Sequence, residues 1–238
     1  MATAHAPAHH GHEIGEDEVF HQYQDLAQQN ETYIVGMWTF LVTEVMFFGG
    51  LFLAYMLYRW KYQTEFHLVH ETLSWQLGGI NTFVLLMSSF SMAMGVHFAQ
   101  LKNRKRQLQC LAFTVLCGGI FLFIKLYFEW SQKFQHGVLP GPAFTWPYHG
   151  LAQEHGAAVA AVPSGIAQMF FSIYFAITGL HGIHVVVGML TISTLMYMTW
   201  KKYPQVENYI PTEMVGLYWH FVDLVWIFLY PLFYLIPQ

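Results

Sequence analysis

The sequence predicts an all-α, polytopic membrane protein, a helical bundle that crosses the bilayer five times. Three observations predict it. Only 10% of the 238 residues are charged, whereas 55% are hydrophobic and 18% aromatic; an average soluble domain carries about 25% charged residues. Five apolar runs are each longer than the roughly 20 residues that a helix needs to cross a hydrocarbon core of about 30 Å. None of them alternates with the period of two that a barrel strand requires. A soluble domain this poor in charge would lack polar surface to cover itself. The net charge of −4, with 10 Lys+Arg, also argues against a nucleic-acid binder, which concentrates basic residues on one face.

The chain begins with a polar tail, residues 1–32, that holds no Lys or Arg. A cleavable signal peptide, which starts with a basic stretch, is therefore not expected. His5, His9, His10 and His12 lie in an Ala/His/Gly-rich part of this tail. They read as a solvated, pH-sensitive segment that can bind metal weakly or lie along a partner. The membrane domain then covers residues 33–238. Its spans fall at about 33–58, 75–99, 108–130, 165–200 and 214–236. The fourth run exceeds what the bilayer needs, so it tilts or projects into water. Residues 133–164 carry Pro140, Pro142, Pro147 and Pro163, which predicts an extended, non-helical surface loop. Cys110 and Cys117 sit seven residues apart on one predicted helix. That is a rise of about 10 Å, too far for a disulfide, so both read as packing residues.

Basic residues set the expected orientation. Lys102, Arg104, Lys105, Arg106, Lys201 and Lys202 fall on the side of the N-terminal tail, against Arg59, Lys61 and Lys133 on the other. The N-terminus is expected in the cytoplasm and the C-terminus outside.

Ionisable groups inside a bilayer cost several kcal/mol unless partnered, so each needs a reason. Glu44 lies mid-span, and its neighbours Trp38 to Phe48 include no basic residue. It reads either as a neutral acid hydrogen-bonded to another helix or as a proton-responsive group facing a partner subunit. His181 and His184 are three apart and share a helix face. They read as interhelical hydrogen-bonding groups, since a metal site would need further ligands from other spans. Only His97 and His220 could volunteer from within spans. Gly179 and Gly182 would let another backbone approach. His220 and Asp223, again three apart, are placed to pair with each other. With Glu44, these histidines and Asp223 all fall at middle depth, which predicts one buried polar network drawn from three helices. Lys125 and Glu129 lie near the end of the third span, where lysine can snorkel or pair.

Taken in order, these motifs resemble subunit III of the haem–copper oxidases. The resemblance runs through all five spans. It rests on the Trp/Phe-rich stretch around Glu44, on Lys125-x-x-x-Glu129-Trp130, and on Thr178-Gly179-Leu180-His181-Gly182-Ile183-His184-Val185. The strongest run is Tyr218-Trp219-His220-Phe221-Val222-Asp223-x-Val225-Trp226-x-Phe228-Leu229-Tyr230. It implies a subunit without catalytic residues, metal or redox centre of its own. Haem and copper would sit in partner subunits, and phospholipid in the bundle. The chain would pack mainly on subunit I, with subunit II and a small subunit as further partners, and sustain oxygen reduction and proton uptake. Glu44 would be the family's buried, carbodiimide-reactive carboxylate, and the other polar positions structural or lipid-facing. Longer members have seven spans; this chain looks like the short bacterial form, so a bacterial cytoplasmic membrane is implied. A quinol oxidase subunit III or a nitric-oxide-reductase accessory protein would look similar. From another class, a small proton-coupled transporter or a di-His metalloenzyme stands as a rival.

Overall fold

A computed structural model describes residues 23–203, 206 and 208–235. The segment with His5, His9, His10 and His12 lies outside them. Five helices are long and apolar enough to cross a membrane, and no strand occurs among the described residues.

Helix α1 (Leu26–Lys61) begins where the Asp25 side chain accepts the Gln28 N–H at 2.7 Å. This cap satisfies one of the free amides of the first turn. The helix therefore starts seven residues before the apolar run, and the last part of the polar tail is its first two turns. At 36 residues it is about 54 Å long, well beyond the bilayer core. A short α2 (Gln63–His70) follows and buries Phe66 and Val69. Burial pushes the His70 imidazole below its ordinary value.

Helix α3 (Trp75–Gln100) and α4 (Arg104–Phe123) form an antiparallel pair joined by residues 101–103. Asn103 does two jobs in this turn. Its N–H donates to the Phe98 carbonyl at 2.9 Å, closing α3, and its side chain caps α4 at the Arg106 N–H, 3.4 Å away. The pair packs closely enough for Ser91 Oγ to donate to the Cys110 carbonyl at 2.9 Å. Cys110 and Cys117 are free thiols. α4 continues through a widened, π-helical stretch (Ile124–Trp130) into α5 (Ser131–Gln135).

The Pro-rich segment departs from the expected extended loop. It contains α6 (Leu151–His155) and α7 (Ala157–Ala160), and it is packed rather than solvated. Trp146, Leu151, Val159 and Val162 are buried, and Trp146 Nε1 donates to the Val162 carbonyl at 3.0 Å. The prolines mark turns, but the apolar residues between them fold down onto the bundle. Lys133, assigned to this loop by its position, lies in α5 and is buried.

Helix α8 (Ser164–Lys201) spans 38 residues, and α9 (Ile210–Tyr234) is the most enclosed of the long helices, with 50% of its most apolar stretch buried. Its Trp219 is wholly buried. The indole fits because glycine flanks it on two neighbours: a Cβ on Gly188 or Gly118 would come within 2.8 or 2.9 Å of the ring. Of the two glycines expected to admit another backbone, Gly179 faces the Trp130 side chain, which a Cβ there would meet at 3.4 Å, and Gly182 faces open space, with nothing within 4 Å of a Cβ.

Candidate functional site

The mid-depth polar residues do not form the single network that their depth suggested. They divide into separate contacts, because each helix is rotated to face a different neighbour.

Glu44 on α1 meets His184 on α8, with 3.1 Å between Oε2 and Nε2. Both side chains are largely but not fully buried. The other ring nitrogen, Nδ1, lies 2.9 Å from the Leu180 carbonyl of the preceding turn. A carbonyl only accepts, so Nδ1 carries a hydrogen. One further proton then occupies the Nε2–Oε2 contact, whether it resides on nitrogen or oxygen. The hydrogen-bond partner that α1 lacks is thus supplied by α8, and Phe48 shields the pair, its ring centroid 5.2 Å from the imidazole.

His181 makes no interhelical hydrogen bond, contrary to expectation. It is buried, neither ring nitrogen has a hydrogen-bond partner, and the ring packs between Phe121 at 5.6 Å and Trp226 at 5.2 Å. Nor do His220 and Asp223 pair. His220 Nδ1 lies 2.7 Å from Ser89 Oγ, while Asp223 Oδ2 is 3.5 Å from Ser88 Oγ and its Oδ1 has no partner. Neighbouring serines on α3 draw the two side chains apart. Ser88 also accepts from Trp219 Nε1 at 3.1 Å and donates to the Leu85 carbonyl at 2.7 Å.

The strongest polar cluster lies one layer away, around the widened stretch of α4. Lys125 Nζ donates to Glu129 Oε2 at 2.8 Å, to Tyr174 OH at 3.0 Å and to Tyr234 OH at 2.5 Å. Both tyrosine hydroxyls donate in turn to Glu129 Oε1. Lys125 therefore pairs and does not snorkel. Its ammonium also lies 5.0 Å from the Trp226 ring. Lys133, one turn further, stands over Tyr174 and Phe171 at 5.7 and 5.8 Å. Sequence reasoning found Lys125 and Glu129 but missed Tyr174, Tyr234 and Lys133; the four-residue spacing of the two lysines and Glu129 was the available signal. Lys133 also lines a cavity of about 210 Å³ with His136, Tyr148 and Glu154. There burial, with Glu154 nearby, pushes the Tyr148 phenol up to about 12.

Among the described residues, no group of three His, Cys, Asp or Glu side chains converges as metal ligands. A larger cleft of about 790 Å³ opens between α1, α8 and α9 and is lined by Met37, Phe40, Leu190 and Met214, with Gln29 and Asn208 among its polar residues.

Residues 152–237 match the family described as Cytochrome c oxidase subunit III. That stretch carries both histidines of α8 together with His220 and Asp223. A relative from Petromyzon marinus, named Cytochrome c oxidase subunit 3, is 31% identical over 207 residues, covering 82% of this chain and 66% of its own length. The chain belongs to the subunit III family of the haem–copper oxidases. Members of that family named Probable quinol oxidase subunit 3, from Staphylococcus saprophyticus, and Cytochrome c oxidase subunit 3, from Thermostichus vulcanus, are 27% and 26% identical. They match over 85% and 86% of this chain and 88% of their own lengths. As a family member the chain is a membrane protein and a component of a multi-subunit oxidase.

Proposed function

We propose that this chain is the non-catalytic subunit III of an aerobic oxidase that uses cytochrome c. In this reading it packs on subunit I and supports proton uptake and sustained oxygen reduction there. The supporting observation is the state of α1. Only 17% of its most apolar stretch is buried, against 50% for α9, and it exposes Trp38, Val42, Met46, Leu53 and Trp60. This helix is held to the bundle partly by the Glu44–His184 contact, so its outer face is presented to a neighbour in fixed register. Subunit I is the proposed neighbour, with subunit II and a small subunit adjoining. Haem and copper belong to those partners in this reading.

The cleft between α1, α8 and α9 suits phospholipid acyl chains, being long, open to the side and mostly apolar. The basic end of the bundle, where α3 ends and α4 begins, is the proposed cytoplasmic face of a bacterial inner membrane.

Gentle solubilisation, co-purification and a haem spectrum test the assignment. Recovery of a haem-bearing subunit I is expected, and its absence would overturn the proposal. Glu44→Gln in the assembled oxidase tests the role of the Glu44 carboxylate: faster loss of activity during turnover is expected. Unchanged turnover, pumping and resistance to inactivation would reduce Glu44 to packing. Relatives named for both donors match, so oxidation of quinol but not of reduced cytochrome c would correct the donor.

A further inference from the structure

At the end of the bundle opposite the α3–α4 turn, the cavity of about 210 Å³ carries a charge pattern that the oxidase reading does not use. Lys133 lines it and is only 7% exposed. Its ammonium stands over the Tyr174 and Phe171 rings, yet among the described residues it donates no hydrogen bond. Glu129 acts on it through space, but the oxygens of that carboxylate are engaged by Lys125, Tyr174 and Tyr234. Two buried lysines thus share one carboxylate. A buried ammonium whose donors face a cavity is stabilised by an acceptor placed there.

The start of α3 opens on the same cavity. Ser74 lines it and holds the N-cap position, but its side chain makes no capping hydrogen bond. Asp25 and Asn103, by contrast, cap α1 and α4 through their side chains. The Gly78 N–H returns to the Ser74 carbonyl at 3.2 Å, and the N–H groups before it are those that a helix leaves free. A helix start also carries about half a positive charge. Lys133 and α3 therefore bring positive potential to one space from two separate elements.

The mouth has the opposite sign. Glu71 and Glu154 also line the cavity, with side chains 40% and 54% exposed. Each lies near a histidine, His67 Nε2 at 4.0 Å and His155 Nε2 at 3.9 Å, and Tyr148 OH donates to Glu154 at 3.5 Å. Among the described residues no lysine or arginine other than Lys133 lines the cavity. A simple anion would be repelled at the mouth and a simple cation at the buried end. One water occupies roughly 30 Å³ in the liquid, so 210 Å³ has room for a phosphate together with a short arm.

We infer that this cavity binds a zwitterion of the phosphoethanolamine type, its phosphate on Lys133 and the start of α3 and its ammonium toward Glu71 and Glu154. The buried cation and the exposed carboxylates lie at different depths, so the two charges of the ligand must be separated by a few atoms, as they are not in an α-amino acid. The amine is primary, because a quaternary ammonium has no N–H to donate to a carboxylate. The same chemistry is offered by the headgroup of phosphatidylethanolamine and by free phosphoethanolamine. The inference stands apart from the oxidase assignment, since neither α1 nor a partner subunit takes part.

The test uses the full chain in nanodiscs. One arm has phosphatidylcholine doped with equal amounts of phosphatidylethanolamine and phosphatidylglycerol, and retained lipid is counted by native mass spectrometry. The other has phosphatidylcholine alone with radiolabelled phosphoethanolamine in solution. The parent should retain the ethanolamine ligand, and K133M should lose it about 10-fold. K133M keeps the aliphatic stem and leaves Lys125 with Glu129 to itself, so it should melt no lower than the parent. The surface variant E71Q/E154Q leaves the buried cluster intact, and it should abolish the preference for phosphatidylethanolamine over phosphatidylglycerol. Loss confined to the lipid arm assigns a headgroup, and loss in the soluble arm assigns the free zwitterion. Equal retention by parent and K133M in both arms overturns the inference. So does a parent that holds phosphatidylglycerol as well as phosphatidylethanolamine, or a preference that survives E71Q/E154Q.

Discussion

Replacing Lys125 by methionine keeps the volume of the aliphatic stem and removes the ammonium at the centre of the α4 cluster. Glu129 then keeps the two tyrosine hydroxyls but loses its 2.8 Å ion pair. Tyr174 and Tyr234, whose oxygens are 3.3 Å apart, lose their shared cation. Removing one partner of a buried ion pair costs about 3–5 kcal/mol, since the remaining charge is left without compensation. Lys133 also acts on Glu129, so the loss should sit at the low end, about 3 kcal/mol. Removing both charges in K125M/E129M is a different perturbation. The pair is gone and the two hydroxyls can bond each other, but the buried Lys133 loses Glu129 as its counter-charge. Replacement of a buried pair by apolar groups of similar volume is often neutral, so the double variant should recover part of what K125M loses. Reversible denaturant titration of the full chain in mixed micelles measures all four corners of the cycle. A single-mutant loss below about 1 kcal/mol, or a double mutant no better than the sum of the singles, would refute a mutually dependent cluster.

Other positions give sharp contrasts in the same assay. H181F should be tolerated or stabilising by about 1 kcal/mol, because both ring nitrogens are buried without partners among aromatic neighbours; a loss above 1 kcal/mol would mean a partner not evident in the geometry. G188A should cost about 1–3 kcal/mol by driving a methyl into Trp219, whereas G182A meets open space and should gain about 0.5–1 kcal/mol. The reverse order would show that α9 packs differently. E44Q can donate from its amide to His184 Nε2 and should keep α1 docked, while E44A removes the contact. Hydrogen exchange of α1 should therefore rise in E44A and not in E44Q, and equal exchange in the two variants would show that the contact does not hold the helix.

Much of the fold is legible because hydropathy is a local sum. Runs such as residues 75–99 need no knowledge of their neighbours to be recognised as spans, and Asn103 is the kind of residue that caps a helix. The start of α1 was less legible, since residues 26–32 are polar and their helix rests on the Asp25 cap rather than on burial. The loop of residues 133–164 was misread because prolines mark turns but do not report whether Trp146, Leu151 and Val162 will be covered. The candidate site was legible as an inventory. Glu44, Lys125, Glu129, His181, His184, His220 and Asp223 all stand out as polar groups in apolar runs.

Their pairing was not legible. Three-residue spacing places His220 beside Asp223 and His181 beside His184 on a helix surface, yet it does not say which way that surface turns. In the folded bundle, His220 turns to Ser89, Asp223 lies near Ser88, His184 reaches Glu44, and His181 slots between aromatic rings. The sequence by itself determined the solvent, the number of spans and which residues carry charge into the membrane. Only the tertiary structure decided which of those groups meet, because helix rotation and spacing are set by side chains on other helices, such as Trp219 seated between Gly118 and Gly188.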